Sequence, residues 1–328
     1  MNIPGFVDLQ VNGYMGVDFS APDLTAELFV FACRELIRHG TAVFLPTVIT
    51  SSPGVYKKNL EIIAGSMDHK DLKGHLAGIH LEGPFLSGEE GAIGAHNPEW
   101  VMKPDTEFLD KLTNWADGRV KMLTIAAELE NSEHLCRHAG KLGMTVSLGH
   151  QLASEVDLEK LAASGARSLT HLGNGIPRML PRHNNPLWAG IANDELIAMI
   201  IADGHHLPPP VLKTILRTKG VSRVAVVSDA SPIAGLPPGR YNTLGNDVVL
   251  EESGLLHNPE TGYLVGSSST MLECINYLSS LQMFSTEELL ELGFYNPLRL
   301  IDIDPESIIH LLPSTLEIDG RLFHIAGT

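Results

Sequence analysis

Short runs of nearly uninterrupted apolar residues recur along the chain, each followed by a turn and a stretch with helical spacing. The runs are FVDLQV (6–11), AVFLPTV (42–48), AGIHLE (77–82), KMLTIAA (121–127), MTVSLGH (144–150), SLTHL (168–172), IAMIIAD (197–203) and VAVVSD (224–229). Strands that are apolar throughout, rather than alternating, predict a parallel sheet covered on both faces. Between them, DLTAELFVFACRELIRHG and NSEHLCRHAGKLG have helical spacing and close on glycine, as helices tend to. Eight strand–helix units in a chain of 328 residues predict a (β/α)8 TIM-type barrel. A doubly wound open sheet is the structural alternative. Two segments are long and poor in helical signal, 173–195 and 230–266; loops of that length in a compact domain are usually functional.

The apolar runs end on polar residues. Gln10 stands near the end of the first and Asn12 follows it, Glu82 ends the third and Glu128 follows the fourth. His150 ends the fifth, His171 and Asn174 close the sixth, Asp203, His205 and His206 the seventh, and Asp229 the eighth. In a barrel this is the end that carries the active site, whereas burial alone would favour Val or Ile there. One carboxylate and two imidazoles, Glu82, His150 and His171, match the three-ligand set of a catalytic zinc with a fourth position open to water. A dication would also supply Glu82 with a charge partner. Hydrogen-bonded core residues are the plainer reading of each residue taken singly. Asp229 reads either as a helix cap or, beside a metal, as the group that takes a proton from water and later delivers it to a leaving group. Asp203 and Glu128 read as supporting residues.

Composition narrows the partners. The chain is 44% hydrophobic and 19% charged, as expected of one globular unit over residues 1–328. A formal charge of −16 argues against nucleic acid and against an anionic membrane surface, though not against a small anion. Cys33, Cys136 and Cys274 are far apart and lack CxxC spacing, which predicts buried thiols in a reducing compartment. With neither a basic leader nor a long apolar segment in the sequence, the expected location is cytoplasmic.

Taken in order, PGFVDLQVNG, HLEGPF, GAHNP, SLGH, THLGNG, IIADGHH, VSDASPIAG and GSSSTM resemble the amidohydrolase superfamily, in its branch that deacetylates amino-sugar phosphates. The resemblance runs from about residue 4 to about residue 300. It implies one divalent ion per chain, zinc, held by Glu82, His150 and His171. Asp229 is then the general base and acid, and His96 polarises the amide carbonyl. Asn174, Gly175, Arg182, His206 and the backbone at Val265, Gly266 and Ser267 bind the substrate. The implied reaction converts N-acetylglucosamine 6-phosphate to glucosamine 6-phosphate and acetate, in a homodimer.

Three departures stand out. Gln10-Val11-Asn12 replaces the His-x-His found in many superfamily members, and amides are poor ligands beside imidazole, so a single-ion site is expected. In PRMLPRHNNPLW, Arg182 keeps its distance from His171 but the segment after it is longer and holds His183, Asn184 and Asn185. The family's small β-sandwich domain is expected to be absent or reduced to a remnant in 305–328. Two alternatives stay open: a related hydrolase of another acylamino sugar or a cyclic amide, and a catalytically silent sugar-phosphate-binding protein.

Overall fold

The computed structural model describes residues 3–311 and 316–326. Among them, eight parallel strands lie side by side in chain order. They are β1 (Phe6–Val11), β2 (Thr41–Ile49), β3 (Ile79–Glu82), β4 (Val120–Ile125), β5 (Thr145–Leu148), β6 (Ala166–Leu169), β7 (Ile197–Ile201) and β8 (Val224–Val227). A parallel bridge between Val11 and Ala230 brings the last strand back to the first. Ser228 N–H also donates to Asp8 Oδ1 across the same seam, at 3.1 Å. Sequential order with this closure is the predicted (β/α)8 barrel; an open doubly wound sheet would have reversed direction at its middle.

The helices α1 (Ala26–Arg38), α2 (Pro53–Ser66), α3 (Thr106–Trp115), α4 (Ser132–Lys141), α5 (Glu155–Ala163), α6 (Pro186–Ala192), α7 (Pro209–Lys219) and α8 (Met271–Ser280) follow the strands in turn. Local sequence marks their starts. Thr25 and Ser52 accept from the backbone at N3 of α1 and α2, and reciprocal capping boxes open α5 at Ser154 and α8 at Thr270. Such caps satisfy amides that the helix itself cannot. Cys33, Cys136 and Cys274 are unpaired and buried on α1, α4 and α8, as predicted.

Both long segments contain structure that the apolar pattern did not reveal. Asn185 caps α6, which begins on Pro186. The stretch after β8 folds into a small antiparallel sheet of β9 (Gly239–Thr243), β10 (Asn246–Leu250) and β11 (Leu256–His257), with its own apolar cluster of Ile233, Val248, Leu250, Leu256 and Val265. In the tail, β12 (Leu316–Asp319) and β13 (Leu322–Ile325) form a hairpin rather than a sandwich. It seals the barrel floor, where the Phe323 ring meets Phe6 edge-on at 5.2 Å. Residues 312–315, 327 and 328 of that tail lie outside the described residues.

A polar thread runs through the barrel interior below its mouth. His80 donates from Nδ1 to the Leu9 carbonyl at 2.9 Å, and its Nε2 lies 2.8 Å from the Thr124 hydroxyl. Hydroxyl contacts then continue to Thr170 (2.8 Å) and Ser147 (2.6 Å). Burial pushes the His80 imidazole down to about 4. It therefore stays neutral when folded while the unfolded imidazole gains a proton near pH 6.5. Its contribution to stability is full above that value and is lost as pH falls towards 4. Between pH 8 and pH 5 the metal-stripped protein should lose roughly 2 kcal/mol from this residue. Urea unfolding of wild type and His80→Gln across that range checks it; parallel curves for the two would contradict the assignment.

Candidate active site

The chain turns sharply as it leaves three of the strands. His150, His171 and Asp229 have φ of +50°, +29° and +49°, a left-handed region that costs a non-glycine residue energy and is typical of functional sites. Each of these turns follows β5, β6 or β8, and the three side chains border one cavity. Glu82 reaches the same cavity from the end of β3.

Glu82, His150 and His171 are all buried, with their donor atoms within 4.8 Å of one another. Glu82 Oε1 lies 3.2 Å from His150 Nε2 and 3.0 Å from His171 Nε2, and the two Nε2 atoms are 3.0 Å apart. His150 Nδ1 donates to the Ala92 carbonyl at 2.8 Å, so its Nε2 carries a bare lone pair into the site. Two imidazole nitrogens and a carboxylate oxygen crowded this closely repel unless a cation stands among them. The donor set therefore fits a divalent ion, and its two nitrogens and one oxygen suit zinc. Burial alone would raise Glu82, but the imidazoles of His150 and His171 beside it hold it well below the usual carboxylate range. Burial likewise lowers His171, and the Glu82 contact reverses this, leaving it raised.

The two amides of β1's end hold carboxylates of the site through their NH2 groups. Gln10 Nε2 donates to Glu82 Oε1 at 2.8 Å, and Asn12 Nδ2 donates to Asp229 Oδ1 at 2.8 Å. Gln10 thus orients one member of the donor set, and Asn12 fixes one oxygen of Asp229. Burial, with the Glu82 charge adding to it, raises the Asp229 pKa. A raised carboxylate is a better proton acceptor near neutrality.

His96 stands against the cluster, with Nε2 3.3 Å from His150 Nε2 and 3.7 Å from Glu82 Oε2. The Thr50 backbone N–H donates to its Nδ1 at 3.3 Å, which places the ring hydrogen on Nε2, facing the cavity. Burial pushes His96 down to about 3, which favours its neutral form.

The cavity has a volume of about 350 Å³, within the range of small-molecule sites. Asn174, Gly175, His206 and Gly266 line it, as expected from the sequence. A Cβ on Gly175 (φ +60°) would lie 3.0 Å from His150 Nδ1 and 3.1 Å from His171 Cε1, so the loop packs closely over both rings. His206 Nδ1 meets Asp203 Oδ2 at 2.7 Å, and Asp203 Oδ1 accepts the backbone N–H of both His205 and His206. Burial would raise Asp203, but these bonds from His206 and His205 bring it down to about 2. Asp203 thus holds His206, and Glu128 accepts the Leu152 N–H at 2.7 Å.

Three further residues expected at the substrate stand outside the cavity lining of a single chain. Arg182 is exposed on the loop after Pro181. The Val265 side chain packs in the small apolar cluster beneath β9–β11, and its neighbour Gly266 lines the cavity. Ser267 does not line the cavity but braces it: its N–H donates to the Asp229 carbonyl at 2.8 Å and its hydroxyl to the Ser228 carbonyl at 2.5 Å. Sequence reasoning missed Arg178 and Tyr263, which line the cavity. Arg178 lies four residues past Asn174, and nothing in the linear pattern separates it from Arg182.

Comparison with known proteins gives the same picture. A family model for the amidohydrolase family matches residues 1–307. N-acetylglucosamine-6-phosphate deacetylase from Danio rerio is 33% identical over 92% of this chain and 75% of its own length. N-acetylgalactosamine-6-phosphate deacetylase from Escherichia coli O157:H7 is 27% identical over 92% of this chain and 78% of its own. Among solved structures, N-acetylglucosamine-6-phosphate deacetylase from Pasteurella multocida superposes with a TM-score of 0.87 at 26% identity, covering 99% of this chain and 83% of that one. The chain belongs to the amidohydrolase family and is a metal-dependent hydrolase of carbon–nitrogen bonds.

Proposed function

We propose that the protein removes the acetyl group from N-acetylglucosamine 6-phosphate, giving glucosamine 6-phosphate and acetate. The observation that carries the reading is Asp229: one oxygen is held by Asn12, and the residue borders a cavity that also holds the three-donor cluster. Relatives bearing the name of that deacetylase support the choice of substrate.

Glu82, His150 and His171 would hold a zinc-type ion, which would supply a Lewis acid and a water of lowered pKa. One ion is the expected number, because the amides of Gln10 and Asn12 stand where a second ion would need imidazoles, and amides are poor ligands beside them. Asp229 accepts the proton of the attacking water. His96 donates from Nε2 to the acetamide oxygen as negative charge builds there, and one such donor is worth about 3–4 kcal/mol where it has been removed from other hydrolases. Asp229 then returns the proton to nitrogen as the C–N bond breaks, so the water oxygen ends in acetate and its proton in the amine. Asn174 and His206 line the cavity around the sugar. The reading includes a homodimer, supported by Met179 and Trp188, which stand 89% and 47% exposed around the Arg182 loop. It also includes a cytoplasmic location, consistent with the buried, unpaired cysteines. Among the described residues, no helix is long and apolar enough to cross a membrane.

Zinc-loaded protein is expected to release acetate from N-acetylglucosamine 6-phosphate, and chelation is expected to abolish the release.

A further inference from the structure

The geometry points to Asp8 as a positioning residue for Asp229, acting through Ser228 beneath the barrel mouth. This deepens the reading above and rests on its choice of Asp229 as the proton-transfer group. Asp229 stands in a left-handed turn, with φ of +49°, which a non-glycine residue keeps only where its surroundings impose it. The grip on that turn starts at Asp8. Its Oδ1 accepts the Ser228 N–H at 3.1 Å, and its Oδ2 accepts the Ser228 hydroxyl. Ser228 Oγ in turn accepts the Ala230 N–H at 3.0 Å, so the hydroxyl held by Asp8 spans Asp229 from one neighbour to the other. From the opposite side, Ser267 holds the carbonyls of Ser228 and Asp229. Asp8 itself is fixed by the Gln10 N–H, 3.3 Å from Oδ1.

Asp8, Gln10 and Asn12 are buried alternate residues, two positions apart along β1 and its end, and alternation places such residues on one face of a strand. Each carries one link to the site: Asn12 to the Asp229 carboxylate, Gln10 to Glu82, and Asp8 to the backbone that aims Asp229. The groups bonded to Asp8 are all neutral. Burial pushes it up to about 7, against the pull of the Ser228 and Gln10 donors. A buried carboxylate among neutral groups is costly to the fold, and apolar residues would close this seam at lower cost. What a carboxylate provides is two acceptor oxygens and no hydrogen, as the N–H and O–H of one serine require.

The test compares wild type with Asp8→Ala, Asp8→Asn, Ser228→Ala and the double variant Asp8→Asn/Ser228→Ala. Values of kcat and KM for N-acetylglucosamine 6-phosphate are expressed per bound zinc, which removes any unfolded fraction. Asp8→Ala should bind one zinc, keep its KM and lose about 10²-fold in kcat, the scale of a misplacement of about 1 Å. Asp8→Asn retains one acceptor oxygen and should recover part of that loss. Asp8 and Ser228 act through one bond, so the double variant should be no slower than the slower of its two single variants. Crystal structures of zinc-loaded wild type, Asp8→Asn and Ser228→Ala give a readout independent of turnover. In both variants the Asp229 carboxylate should move away from Asn12. If Asp8→Ala does not fold, the other three variants decide. Wild-type kcat per zinc in Asp8→Asn and Ser228→Ala, or an unmoved Asp229 in both crystals, overturns the assignment. So does loss of zinc together with activity, which would route the effect of Asp8 through the metal donors. If the wild type releases no acetate the deacetylase reading fails, while the crystal structures still decide whether Asp8 holds Asp229.

Discussion

Asp229→Asn is expected to fold, keep its metal and lose its chemistry. The substitution is nearly isosteric, and the amide oxygen of the new side chain can still accept the hydrogen bond now donated by Asn12 Nδ2. What changes is the other position, where an NH2 group replaces an oxygen able to take a proton. The loss should therefore appear in kcat, by roughly 10²- to 10⁴-fold, with little change in KM. Steady-state acetate release by the zinc-loaded variant, beside its metal content, checks this. Near wild-type turnover would move the proton transfer to another group. Asp203 and Glu128 are poor replacements, since the first is bound to His206 and the second to the Leu152 amide; His206 would then be the candidate.

His150→Ala should remove the bound ion. Two donors remain in this variant, Glu82 and His171, and three protein ligands are the minimum commonly found at catalytic zinc. Metal analysis after dialysis should give close to one equivalent for wild type and less than about a tenth for the variant, with activity falling in proportion. Gln10→Ala should act more gently, because Gln10 orients Glu82 without touching the ion; outer residues of this kind typically cost 10- to 100-fold in affinity. Two tightly held equivalents in wild type would contradict the single-ion reading of Gln10 and Asn12.

The barrel and its metal donors were legible in the sequence because one physical rule governs both. Continuous apolar runs predict strands buried on both faces, and the polar residue that ends each run must then stand at the barrel mouth. Glu82, His150, His171 and Asp229 were found in this way, and all four border one cavity. Residues carried by loops were harder to place. Arg178 and Arg182 lie on one irregular segment with no periodicity to say which faces inward. The β9–β11 sheet has strands of two to five residues with mixed polarity, too short for alternation to stand out from a loop. Groups that act through the backbone carry no side-chain signal at all. The Ala92 carbonyl that fixes the His150 tautomer and the Thr50 amide that fixes His96 become visible only when the chain is folded.

The most direct test of the account is stoichiometric reconstitution. Chelator-stripped protein is titrated with Zn2+ while acetate release from N-acetylglucosamine 6-phosphate is followed. Release should rise linearly and level off at one equivalent per chain, with Asp229→Asn binding zinc to the same end point but remaining nearly silent. Absence of acetate release at every zinc loading, or a break at two equivalents, would contradict the account.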